Sequence, residues 1–268
     1  MMTASDPPEN TIAQVSVPEE GKTYYLCQSG EDLTEEEHSD DSSGIESPVG
    51  SARAGTNATY LVRKDAQREI YCLDEENYLQ AYAFDEDSWE WQPGTLDGLR
   101  ILVASNTHLA AISTEDGFDR VFFQLPEGQL GMIARRDGQG WQKSSLPPTT
   151  PADGASLFAL GVEDGVRLFY SHKDCSIHQL AWDGRDWADS EVPQTGGILQ
   201  KSHIFAQQQG SGINIQFCDE DARVYVLKDG NLSRLGFVFQ GRLKKDKDAQ
   251  SDRWPQELES SVKWKGLK

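Results

Sequence analysis

The chain lacks most of what would place it in a membrane, on nucleic acid or around a cofactor. No stretch approaches the roughly 18 consecutive apolar residues that cross a bilayer, so no membrane insertion is expected. The first thirty residues lack the basic start and apolar block of a secretory leader. Classical secretion is therefore not expected, and a cytoplasmic location is, with leaderless export left open. Cysteine is scarce: Cys27, Cys72, Cys175 and Cys218 are far apart and contain no C-x-x-C pair. That spacing excludes a zinc knuckle or a redox motif and reads as isolated thiols in a reducing compartment. Basic residues are outnumbered, 25 Lys and Arg against 44 Asp and Glu, for a net charge of -19. Nucleic acid is excluded as a partner, because a strand is bound chiefly by neutralising its phosphates. Neither a Walker loop nor a dinucleotide fingerprint occurs, so no cofactor is expected. Among the histidines His38, His108, His172, His178 and His203, only His172 and His178 share a hairpin. Six residues apart, they read as a solvated turn rather than a metal site.

The acids are unevenly spread, with twelve in residues 1–50 against the single base Lys22. Residues 1–10 read as disordered. The Ser- and Gly-rich stretch from about 36 to 55 is too poor in apolar residues to fold alone and reads as a disordered acidic insertion. Residues 11–240 read as one folded domain. Residues 241–268 read as a tail, open between a partly ordered one and one in which "ESSVKW" is a strand that completes a blade or closes the ring.

What the sequence does contain is a repeat. The pair Val121 and Leu130 in "RVFFQLPEGQL" recurs as Ile70 and Leu79, as Leu168 and Ile177, and as Ile215 and Val224, at spacings of 51, 47 and 47 residues. An upstream marker, Leu61, Leu109, Leu157 and Ile204, keeps the same period, and Trp89, Trp141 and Trp187 mark a position downstream. A worn copy begins near Ile12, with its tryptophan strand replaced by the acidic insertion. Each copy consists of short alternating apolar segments separated by turn chemistry such as "PEGQ", "DGQG" and "KDGN", and amphipathic helical periodicity is absent. A four-stranded unit every 40 to 50 residues predicts an all-β propeller of five recognisable blade repeats, five-bladed or irregular six-bladed. The three tryptophans recur at one structural position and read as blade-packing residues rather than ligand platforms.

The order "LAAIS", "RVFFQ", a Gly turn and "DGQGW" resembles the fungal fucose-specific lectins, and the likeness extends over residues 11–240. The resemblance implies a six-bladed propeller that binds fucosylated glycans or glycoproteins without catalysis, in clefts between blades. An Arg on the second strand and a Glu about twelve residues later would hold the sugar beside aromatic rings. Such groups suit a sugar: guanidinium donates, carboxylate accepts, and a ring covers the C–H face. Carried onto this chain, the pattern gives Arg167 with Gln179 and Trp182, Arg120 with Met132 where Glu is expected, and Lys22 with Glu35 one residue out of phase. The second copy has Glu69 in the Arg position with Arg68 beside it, and the fifth has Asn214 and Val226. No copy retains the full pair, so one or two working pockets are expected, led by Arg167, Gln179 and Trp182. Two alternatives stay open. Arg120 and Arg167 could simply pair with acids in turns, or the sugar sites could have decayed, leaving a scaffold for protein interaction. A homodimer is compatible with either. Enzyme readings lack support: "ARRDGQGW" carries Arg136 where a sialidase turn has Asp, and no carboxylate pair flanking a bond can be picked out.

Overall fold

In the computed structural model of the chain, the described residues are 7–245 except 40–42, 65, 115–116, 199, 201, 211, 220 and 240–241. They form five antiparallel sheets, one per repeat. Blade 1 comprises β1 (Thr11–Val17), β2 (Lys22–Ser29), β3 (Asp32–Ser39) and β4 (Ser43–Ser51), and blade 2 comprises β5 (Thr59–Val62), β6 (Arg68–Leu73), β7 (Leu79–Asp85) and β8 (Glu90–Pro93). Blade 3 comprises β9 (Ala110–Ser113), β10 (Phe118–Gln124), β11 (Leu130–Arg136) and β12 (Gln142–Ser144), and blade 4 comprises β13 (Leu157–Val162), β14 (Gly165–Ser171), β15 (Ile177–Trp182) and β16 (Trp187–Glu191). Blade 5 has five strands in sequential order: β17 (Phe205–Gln209), β18 (Gly212–Cys218), β19 (Arg223–Lys228), β20 (Asn231–Phe239) and β21 (Arg242–Lys245). Among the described residues no helix is long and apolar enough to cross a membrane.

The chain divides into two compact units, one of residues 1–127 and 131–145, the other of 128–130 and 146–268. In the first unit, one core joins Tyr24, Leu26 and Leu33 of blade 1 to Ile70, Cys72 and Trp91 of blade 2. A second joins Tyr71, Leu73 and Leu79 of blade 2 to Val121, Phe123 and Ile133 of blade 3. In the second unit, Phe169 and Ile177 of blade 4 pack on Ala206, Ile215, Phe217 and Leu227 of blade 5. Both faces of a middle sheet are thus buried, because a four-stranded sheet cannot hide its own apolar sides. Hydroxyls staple successive loops in phase. Thr56, Thr107 and Ser202 each accept from a backbone N–H at the end of the second strand (Leu73, Gln124 and Cys218, at 3.0, 2.6 and 2.9 Å).

Three expectations are corrected. Residues 43–51 of the acidic segment are not disordered but form β4, which pairs with β3 from Asp32↔Ser51 to His38↔Ser43 around two register shifts. Paired to β3, this polar strand needs little apolar content of its own, and it buries Val49. The tryptophan phase also shifts in blade 2. Trp89 is 72% exposed in a left-handed turn, whereas Trp91, opposite Phe84, is 6% exposed and fills the core. The β7–β8 turn is long enough to move the packing residue by two. Of residues 1–10, expected to be disordered, 7–10 are ordered, with the Pro8 carbonyl accepting from the Thr11 hydroxyl and the Asn10 carbonyl from the Gln28 N–H, while residues 1–6 and the role given to "ESSVKW" lie outside the described residues.

Candidate functional site

Within each compact unit the second strand of a blade offers alternate side chains to the neighbouring blade, and the third strand sets its partners by register. In blade 4, Phe169 faces Gln179 and Arg167 faces Ala181, so Arg167 and Gln179 share a face as diagonal neighbours. Trp182 opposes Val166 and Trp187, which puts it on the other face, where its ring lies 5.4 Å from that of Trp187. The structure therefore brings Arg167 and Gln179 together and separates Trp182 from them. The Arg167 face is the one turned to blade 5: Leu160, its cross-strand partner, and Phe158 pack with Ile213 and Tyr225 around the shared core. Arg167 donates to Asp164 at 2.7 Å and to the Val166 carbonyl at 3.3 Å; its side chain is 16% exposed, and Asp164 is mostly exposed. Gln179 donates to the Ser190 hydroxyl at 3.3 Å.

Blade 1 has the same register, with Tyr24 facing Glu37 where blade 4 has Phe169 facing Gln179. The carboxylate that corresponds to Gln179 is thus Glu37, and it forms a 3.0 Å ion pair with Lys22. Glu35 lies one step deeper on the same face, opposite Leu26. It is buried, accepts from the Tyr60 hydroxyl at 3.0 Å, and pairs with Arg68 of blade 2 at 3.3 Å. Burial raises the Glu35 pKa, opposed by the charge of Arg68 and the Tyr60 bond. The Arg68 guanidinium is sandwiched between the rings of Tyr24 (3.8 Å) and Phe84 (4.3 Å), so it fills this cleft from the blade 2 side. In blade 5 the corresponding position is Ile213, which carries no charge.

Between blades 2 and 3 the cleft is closed by a charge-balanced network. Arg63 reaches Asp119 at 2.9 Å and Glu69 at 3.1 Å, and Arg135 reaches the same two carboxylates at 2.9 and 2.5 Å. Arg135 also stacks 4.3 Å over Trp141. The Tyr71 hydroxyl donates to Glu69, whose pKa is raised by burial and held back by that bond and by Arg63. Arg120 of blade 3 is buried, donates to the Thr114 hydroxyl at 2.8 Å, and lies 5.0 Å over Phe118.

Sequence reasoning missed Glu37, Arg68 as a plug, and the Arg63, Arg135, Asp119 and Glu69 network. Glu37 was reachable by counting register back from the β2–β3 turn rather than forward along the chain. The network joins residues far apart in sequence and left no local signal.

Five four- or five-stranded blades with sequential antiparallel order define the class, a β-propeller, and solved structures agree. AofleA from Arthrobotrys oligospora superposes with a TM-score of 0.72 at 16% identity, covering 85% of this chain and 73% of that one. The fucose-specific lectin of Aleuria aurantia, described as a six-bladed β-propeller, superposes with a TM-score of 0.63 at 18% identity, covering 87% and 81%. A variant of the Aleuria lectin was solved with α-methyl-L-fucoside. In sequence, the Aleuria lectin is 26% identical over 52% of this chain and 47% of its own length, and that of Aspergillus fumigatus is 24% identical over 66% and 60%. The chain thus spans about half to three-fifths of the length of these curated relatives. The family model described as "Fungal fucose-specific lectin" matches residues 45–226. The chain belongs to the fungal fucose-specific lectin family, a non-catalytic one.

Proposed function

We propose that the protein binds fucosylated glycans through the blade 4–blade 5 cleft, with Arg167 and Gln179 as the polar contacts. The observation that carries this reading is the state of the second-strand residue at the Arg position in blades 1 to 4. Lys22 is paired with Glu37, Arg120 is buried against Thr114, and Glu69 with Arg63 is locked in the Arg135–Asp119 network. Among the described residues Arg167 has one ion-pair partner, Asp164, beside its bond to the Val166 carbonyl; the Asp164 end of the pair is exposed, so a ligand displaces that carboxylate at small cost, about 0–1 kcal/mol. Its fork donates to sugar hydroxyls, the Gln179 carbonyl accepts from them, and Leu160 and Ile213 offer an apolar wall for a methyl group. An amide in place of the family carboxylate weakens that contact by about 1 kcal/mol, since a charge-assisted bond becomes a neutral one.

The test is a glycan array probed with the wild type and Arg167→Ala. Fucosylated hits that vanish in the variant support the reading. Hits unchanged in the variant place recognition elsewhere. A blank array with the folded wild type favours the alternative of a scaffold whose sugar sites have closed, the direction in which the filled clefts of blades 1 to 3 point.

A further inference from the structure

In blades 1 to 3 the ion pairs of the clefts are closed by carboxylates that stand on strands. Lys22 of β2 meets Glu37 of β3 at 3.0 Å, Arg68 of β6 meets Glu35 of β3 at 3.3 Å, and Arg135 of β11 meets Asp119 of β10 at 2.9 Å. None of these three carboxylate side chains is more than 20% exposed. Blade 4 differs. Gln179 stands where blade 1 has Glu37, and the countercharge of Arg167 comes instead from Asp164 in the β13–β14 turn, 2.7 Å away and 73% exposed.

The strands around Arg167 supply no substitute for the missing acid. Leu160, Arg167, Ala181 and Ala188 form one rung across β13 to β16, and Phe158, Phe169, Gln179 and Ser190 form the next. Arg167 is the single formal charge among these eight residues. Blade 5 presents Ile213 and Tyr225 to the same core, with exposed Arg234 of β20 in register with Tyr225. Arg223, two residues before Tyr225 on β19, is balanced by Asp219 and Asp221 at 3.6 and 2.7 Å.

A carboxylate at position 179 would accept from a ligand's hydroxyls and repel any anion that the ligand carried. The amide keeps the first property at reduced strength, loses the second, and adds N–H groups that donate to an oxyanion. A guanidinium is weakly hydrated and its fork matches an oxyanion, so it exchanges an exposed countercharge for one that a ligand brings into the cleft. The position of that anion is marked: an Asp164 carboxylate oxygen rests on Nη2 of Arg167. The net charge of -19 opposes this little at physiological salt, because exposed charges beyond about 8 Å are largely screened. Resting on the assignment of sugar binding to this cleft, we propose that its preferred ligand is an anionic fucosylated glycan, whose sulfate ester or sugar carboxylate displaces Asp164 from Arg167.

Calorimetric titration of the full chain with matched pairs tests it. One pair is α-methyl-L-fucoside and its monosulfate esters; the other is a fucosylated oligosaccharide with and without a terminal sialic acid. The anionic member of at least one pair is expected to bind about tenfold tighter, since a charge-assisted contact replaces a neutral one, and the gap is expected to close as salt is raised. Which pair shows the gap distinguishes sulfate from carboxylate. Gln179→Glu puts the carboxylate back and is expected to reverse the preference, the neutral ligand gaining and the anionic one losing. Asp164→Asn, a change in an exposed turn, is expected to widen the gap, because the displaced side chain no longer repels the incoming anion. Equal affinity within both pairs, or a ratio that Gln179→Glu leaves unchanged, overturns the proposal while the fucose site stands. Binding of none of these ligands to the folded wild type overturns both. If Gln179→Glu fails to fold, a gap that Asp164→Asn leaves unchanged or narrows has the same force against the proposal.

Discussion

Replacing Arg68 by alanine tests the account of the blade 1–blade 2 cleft. Arg68 and Glu35 are 7% and 3% exposed, and the guanidinium is held by one carboxylate and two aromatic faces. Removing one member of a buried ion pair leaves the other charge uncompensated, which costs about 3–5 kcal/mol. Loss of the two ring contacts falls within that figure rather than adding to it, because effects within one network are not additive. The double variant Glu35→Gln/Arg68→Met removes both charges while keeping volume, and is expected within about 2 kcal/mol of the wild type. The pH dependence has a defined sign. Glu35 already has a raised pKa from burial, and losing Arg68 raises it further. A carboxyl whose folded pKa exceeds its unfolded value of about 4.3 contributes stability that is complete below that value and lost as pH rises towards the folded pKa. The deficit of Arg68→Ala should therefore shrink as pH falls through that window. Urea unfolding followed by tryptophan fluorescence at several pH values reads both effects. A loss under 1 kcal/mol at neutral pH, or a deficit that grows on acidification, would refute the reasoning.

The shifted tryptophan phase predicts opposite outcomes for two neighbours. Trp91→Ala should cost about 3–5 kcal/mol and exposed Trp89→Ser less than about 0.5 kcal/mol in the same unfolding assay. Gly50 has φ +153, and a Cβ there would lie 2.4 Å from the Tyr82 ring, whose hydroxyl bonds both backbone groups of Ser51. Gly50→Ala is therefore expected to destabilise by about 1–3 kcal/mol, read as a lower urea midpoint. Cys27, Cys72, Cys175 and Cys218 form no disulfide. Burial pushes Cys72 and Cys218 up to about 12, so a thiolate-specific reagent should label Cys27 and Cys175 first and leave the other two until the protein unfolds. Peptide mapping of the labelled chain checks the order.

The blades were legible because each depends on a local pattern: alternation along a strand, a glycine turn, and a period near 47 residues. Residues such as Ile70, Val121, Leu168 and Ile215 repeat because each fills a core that no single sheet can close, and all four are buried. β4 was hidden because a strand paired along one edge needs few apolar residues to hold it, and only Val49 of its buried face reads as core. That Gln179 and Trp182 point to opposite faces follows from strand alternation, since they lie three residues apart on one strand. The shared face of Arg167 and Gln179 requires the hairpin register, and the substitution of Glu37 for Glu35 requires the length of the β2–β3 turn. Least legible was occupancy. That Arg68 fills one cleft and Arg63 with Arg135 another depends on side chains from neighbouring blades, and a single sequence holds no mark of their meeting.

The reading as a whole turns on how many clefts remain open to a sugar. Calorimetric titration of the chain with α-methyl-L-fucoside measures that number directly. One site per chain, abolished by Arg167→Ala in a folded protein, is the predicted result. Several equivalent sites, or a single site untouched by that substitution, would contradict it.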